Sequence, residues 1–125
     1  MTFRLLQHRY AVCRLEPSAS VSSWASHGEF LSITRTPWEL SIVCEEDSVP
    51  QDVQAEGGWR CLELAGPIPF EQTGVAAAFL NPLARAGVGV FVISTYDTDY
   101  VLVKDAQLDI ALAALREARY EVIGD

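Results

Sequence analysis

The chain has 125 residues, half of them apolar and 21% charged, enough to bury a core and too hydrophobic for intrinsic disorder. Nine Lys and Arg against seventeen Asp and Glu leave a formal net charge of −8. Without a cluster of basic residues such a chain is a poor counterion for phosphate, which argues against nucleic-acid binding.

The apolar run within residues 1–9 is too short for a signal peptide, and nothing approaches the ~20 apolar residues that span a bilayer. Residues 10–15 alternate as a half-buried strand, with Tyr10, Val12 and Arg14 on one face and Ala11, Cys13 and Leu15 on the other. Residues 18–25 encode a short helix only weakly. Residues 28–34 and 38–44, rich in β-formers, read as a hairpin turning through Arg35-Thr36-Pro37. The acidic stretch 45–58, with Pro50 and two glycines, reads as a surface connection and divides the chain into halves 1–56 and 57–125.

Strand 59–64 opens the second half and runs into Ala65-Gly66-Pro67-Ile68-Pro69, a turn. A helix is expected over 71–86, with Val75, Phe79 and Leu83 at helical spacing and Gly87 as its stop. Pro82 removes the bond to Ala78 and predicts a kink without loss of the helix. Strands 89–94 and 100–103 follow, joined across 95–99. Asp105 is the expected N-cap of a helix carrying Leu108, Leu112 and Leu115, and strand 120–123 closes the chain. The order is β-α-β-β-α-β, an α+β, ferredoxin-like arrangement in which strand 59–64 is expected between 89–94 and 120–123. The first half repeats a reduced version, expected to pack against it.

Cys13, Cys44 and Cys61 are odd in number, far apart, without a CxxC pair, and read as small buried thiols in a reduced, soluble, cytoplasmic protein. His8 and His27 offer no three- or four-ligand set, so no metal or other cofactor is expected. No nucleophile elbow, phosphate loop or HExxH motif is present, and the chain reads as non-catalytic.

Gly66-Pro67-Ile68-Pro69-Phe70-Glu71-Gln72-Thr73-Gly74-Val75, Pro82-Leu83-Ala84-Arg85-Ala86-Gly87-Val88 and Ile93-Ser94-Thr95-Tyr96-Asp97-Thr98-Asp99-Tyr100 make residues 59–123 resemble an ACT domain, the small module that binds amino acids in metabolic enzymes. A strand ending in Ser-Thr-aromatic-x-Thr-Asp is similar to aspartate-kinase-like ACT pairs and to cytosolic arginine sensors. Residues 36–44 make the first half resemble the N-terminal part of small bacterial tandem-ACT proteins. The resemblance implies a regulatory role, an amino-acid ligand between two ACT-like units and a homodimer, with no attached enzyme and no regulated partner specified. A second copy would cover the open edge of a small sheet.

The unpaired N–H groups at the start of the helix after Gly74 suit a carboxylate, although an ordinary strand-to-helix turn with Glu71 favouring the helix dipole explains the same residues. Thr95, Tyr96, Asp97, Thr98 and Asp99 offer hydroxyls, a ring and two carboxylates, or simply good turn formers. Within the resemblance, Thr95, Tyr96 and Asp99 match the ligand loop and Asp97 is left without a role. The expected ligand-binding set is Phe70, Glu71, Thr73, Gly74, Ser94, Thr95, Tyr96, Thr98 and Asp99. Ala77, three past Gly74, offers no acid for a cationic side chain, so a small or apolar amino acid is favoured over arginine or lysine. Thr36-Pro37-Trp38-Glu39 either walls a pocket or forms a packed turn. The competing reading of the whole chain is a ligand-free interaction module of the same fold.

Overall fold

The computed structural model describes residues 1–124. In chain order these form β1 (Thr2–Leu15), β2 (Ser32–Arg35), β3 (Leu40–Glu45), β4 (Gln54–Leu64), α1 (Val75–Arg85), β5 (Val90–Ser94), β6 (Asp99–Lys104), α2 (Leu108–Glu117) and β7 (Glu121–Ile123). Single 3₁₀ turns occupy Ser23–Ser26, Glu46–Ser48 and Asp105–Gln107. The chain divides into two compact units that are not consecutive halves. His8–Trp59 form one, and Met1–Gln7 group with the chain from Arg60 onward in the other. The boundary expected at 56/57 falls within β4.

In the unit built from Met1–Gln7 and the C-terminal chain, the strand order is β7-β1-β4-β6-β5. β7 runs parallel to the start of β1, pairing Phe3 with Val122, and β5 and β6 form an antiparallel hairpin pairing Val92 with Val101. Strand 59–64 is therefore flanked by β1 and β6, not by 89–94 and 120–123 as expected. Two features decide this. Residues 2–7 extend β1 into the place beside β4, with Ala65 N–H donating to Thr2 O at 2.8 Å. In the hairpin, β6 buries Val101, Leu102 and Val103 completely, whereas β5 leaves Val90 and Ser94 exposed and takes the outer position.

Both helices pack their apolar stripes on one core. Phe79 and Leu83 of α1 and Ala111 and Leu115 of α2 meet Phe3, Leu62, Leu64, Val101 and Val103. Phe3 and Phe79 contact edge to face, with centroids 5.5 Å apart at 88°. α1 continues through Pro82, because Leu83 still reaches the core, but it starts at Val75 and not at Glu71. Asp105 does not cap α2: its 3₁₀ turn precedes the helix, Gln107 is the capping position, and the Asp105 carboxylate stands 3.5 Å from Arg60 Nη1.

The His8–Trp59 unit is smaller and, among the described residues, has no α-helix. β2 and β3 form the expected hairpin, and β3 pairs antiparallel with β1, Cys13 opposite Ile42. Ala11, Cys13, Ala25, Leu40, Ile42 and Cys44 make its core. The weakly encoded helix is only the turn at Ser23–Ser26, and Arg35 donates to the carbonyls of Pro17 and Ala19 just before it. Thr36 Oγ1 accepts the N–H groups of Trp38 and Glu39 at 3.1 Å each, so 36–39 is a hydroxyl-stabilised turn with Trp38 75% exposed. All three cysteines are buried and none is in a disulfide.

Candidate functional site

Two connections of the C-terminal unit converge at one end of its sheet. The first carries the chain from β4 to α1 through a cis Gly66–Pro67 peptide, and the second is the turn between β5 and β6. Gly66 sits so close to the second that a Cβ there would lie 2.9 Å from Asp97 O and 3.1 Å from Thr98 Cβ; only glycine allows the approach. Ile68 N–H donates to Asp97 O at 2.7 Å, and Thr98 Oγ1, buried, donates to Leu64 O at 2.6 Å. The turn closes on itself as Thr95 N–H donates to Thr98 O at 2.8 Å and Thr98 N–H donates to Thr95 Oγ1 at 3.3 Å.

Between the connections lies an open groove of about 320 Å³, lined by Ile68, Pro69, Phe70, Gln72, Gly74, Val75, Ala76 and the turn 94–99. Its base is apolar. Its rim is Phe70 and Tyr96, edge to face at 4.9 Å and 80°, with exposures of 70% and 80%. At the groove wall α1 begins after Gly74, which holds φ +77°; no side chain caps the helix and no acidic residue sits in its first turn. The first N–H groups of α1 thus lack a side-chain acceptor at the groove wall. The turn adds Asp97 and Asp99 to the lining, and Ser94 Oγ donates to Asp99 Oδ1 at 2.6 Å. No Lys or Arg lines the groove.

Of the residues expected from sequence, Phe70, Gly74, Ser94, Thr95, Tyr96, Thr98 and Asp99 line this groove together. Glu71 and Thr73 do not line it; they are exposed on the segment ahead of α1. Thr98 lies at the groove with its hydroxyl turned inward to Leu64, which only the tertiary fold reveals. Ile68, Pro69, Gln72, Val75, Ala76 and Asp97 join the lining without having been in the expected set, although all but Ala76 lie inside the two motifs. A second concavity of about 310 Å³, between α1 and α2, is lined by Pro82, Arg85, Ala86, Ala114, Glu117 and Ala118 and has no helix start at its wall. Among the described residues there is no cluster of three or more metal-ligating side chains and no helix long and apolar enough to cross a membrane.

This fold and this pair of connections define an ACT domain, and the chain belongs to that family: the ACT domain model matches residues 54–117. A second family model, for an N-terminal domain, matches residues 8–52. The chain is similar to the bovine (Bos taurus) cytosolic arginine sensor for mTORC1 subunit 1, 30% identical over 72% of this chain and 31% of the sensor. It thus spans about a third of the curated relative's length. The crystal structure of a protein from Agrobacterium tumefaciens superposes with a TM-score of 0.92 at 39% identity, covering 98% of this chain and 91% of that one. The ligand-free regulatory subunit of aspartate kinase from Thermus thermophilus shares the fold, with a TM-score of 0.63 at 10% identity over 93% of this chain and 97% of the subunit.

Proposed function

We propose that the protein is a non-catalytic regulatory module, soluble in the cytoplasm, that binds a small amino acid in the groove between residues 68–76 and the turn 94–99. The observation that carries this reading is that one groove brings together an uncapped helix start and carboxylate-bearing residues. The uncapped start of α1 suits an α-carboxylate, and Asp99 suits an ammonium. The aliphatic surface of Ile68, Val75 and Ala76 suits a side chain of modest size. The arginine sensor's name and the regulatory subunit's fold support an output through a partner protein, which requires that bound and free forms differ in affinity for that partner. The outer strand β5 supports a homodimer, in which a second copy covers its free edge. Light scattering checks that point, since a mass of 13.7 kDa in solution excludes it.

A thermal-shift screen against the twenty amino acids tests the reading. A ligand at 100 times its Kd adds about 2.7 kcal/mol of stability, a readily visible rise in melting temperature. The second reading, a ligand-free interaction module, is favoured by the exposure of Phe70 and Tyr96, which also suits a protein contact. No shift with any amino acid selects it.

A further inference from the structure

We infer that Asp97 sets the charge class of the groove's occupant, excluding amino acids with a second carboxylate. This rests on the amino-acid reading of the groove given above. The groove holds two carboxylates and no Lys or Arg. Asp99 is held from within by Ser94 Oγ at 2.6 Å, whereas the Asp97 carboxylate, among the described residues, makes no hydrogen bond or ion pair. Its backbone is nevertheless fixed, because Asp97 O accepts Ile68 N–H at 2.7 Å and the next residue is anchored by the buried Thr98 hydroxyl. Asp97 therefore presents a charge from a rigid base, with no function inside the fold to account for it.

The groove has one uncapped helix start, enough for one carboxylate. A second carboxylate on the ligand would meet Asp97 and the rings of Phe70 and Tyr96, whose faces are electron-rich. The Tyr96 hydroxyl and the Gln72 amide are neutral donors, and no positive charge in the lining offsets the repulsion from Asp97. Water within an open groove screens this repulsion only in part, so an acidic amino acid binds about tenfold or more weakly than a neutral one of the same shape.

The test is calorimetry with all twenty amino acids, on the wild-type chain and on Asp97→Lys, at low salt. The expected result is that at least one neutral amino acid binds the wild type, that aspartate and glutamate bind at least about tenfold more weakly than asparagine and glutamine or not at all, and that Asp97→Lys strengthens the two acidic ligands by about tenfold or more. Because Asp97 is exposed and its carboxylate makes no hydrogen bond or ion pair among the described residues, the variant should keep the wild-type melting temperature. Aspartate or glutamate binding the wild type as tightly as its amide, or gaining nothing in Asp97→Lys while neutral amino acids bind, overturns this inference and leaves the groove reading standing. If none of the twenty binds either protein, the groove reading itself falls and takes this inference with it.

Discussion

Thr98 Oγ1 donates to the carbonyl of Leu64 across 2.6 Å, tying the last residue of β4 to a turn 34 positions further along the chain. With the Ile68–Asp97 bond, it makes the two connections around the groove one structural piece. Thr98→Val keeps the shape and leaves the Leu64 carbonyl without this donor. The variant should lose about 1–3 kcal/mol. Urea unfolding checks this as a lower midpoint at unchanged slope. Thr98→Ser should recover most of the loss, and a Val variant as stable as wild type would show the bond to be idle.

Asp99→Asn keeps an oxygen for Ser94 Oγ and removes the charge, so folding should be unchanged. A hydrogen bond to a charged group is worth roughly 1.5–3 kcal/mol, and amino-acid affinity should fall about ten- to a hundredfold. Titration with whichever amino acid the thermal screen finds decides it. Unaltered affinity would make Asp99 a turn residue only.

How far the sequence led is clearest by comparing α1 with β1. Val75, Phe79 and Leu83 repeat at helical spacing, and the helix is present through Pro82. Residues 2–9 were not legible as strand because Leu5 and Leu6 are adjacent apolar residues and Gln7-His8-Arg9 breaks the alternation. Yet this segment sets the sheet order by entering beside β4. The early part of β4 was hidden in a stretch whose acids and glycines imitate a loop; there Gly58 N–H donates to Glu46 Oε1 at 2.6 Å, a partnership no local pattern announces. At the groove the hydroxyls and carboxylates of the 94–99 turn were readable as polar turn chemistry. The inward rotation of Thr98, the absence of Glu71 and Thr73 from the lining, and the apolar floor of Ile68 and Val75 depend on where α1 begins and how Gly66 meets Asp97.

Tyr100 gives the unit an alkaline limit. Burial, and then its hydrogen bond to Glu63 Oε2 at 2.7 Å, push the phenol up to about 12 from its ordinary 10. Glu63 is also 3.0 Å from Arg4 Nε. A folded-state value above the unfolded one means that this contribution to stability is complete below pH 10 and disappears as pH rises towards 12. Tyr100→Phe should flatten that part of the stability–pH curve, measured by denaturant unfolding between about pH 9 and 12. An identical decline in the variant would assign the loss to other groups.

The cysteines should be silent in the native protein. Cys13, Cys44 and Cys61 are at most 1% exposed, which keeps a reagent out; the thiol hydrogen bond between Cys13 and Cys44 raises the Cys44 thiol and lowers that of Cys13. A buried, protonated thiol is a poor nucleophile. A thiol reagent should label none of the three until denaturant is added, with all three then reacting. Fast labelling of Cys13 or Cys44 in the native chain would show that the His8–Trp59 core opens readily.

The most direct test of the groove as an amino-acid site is a backbone amide NMR titration with each of the twenty amino acids. At least one of them should shift the amides of residues 68–76 and 94–99 in a saturable way, with Val75, Ala76 and Asp99 among the largest changes. Saturable shifts confined to the cleft of Arg85, Ala114 and Glu117, or no saturable shift with any amino acid, would contradict it.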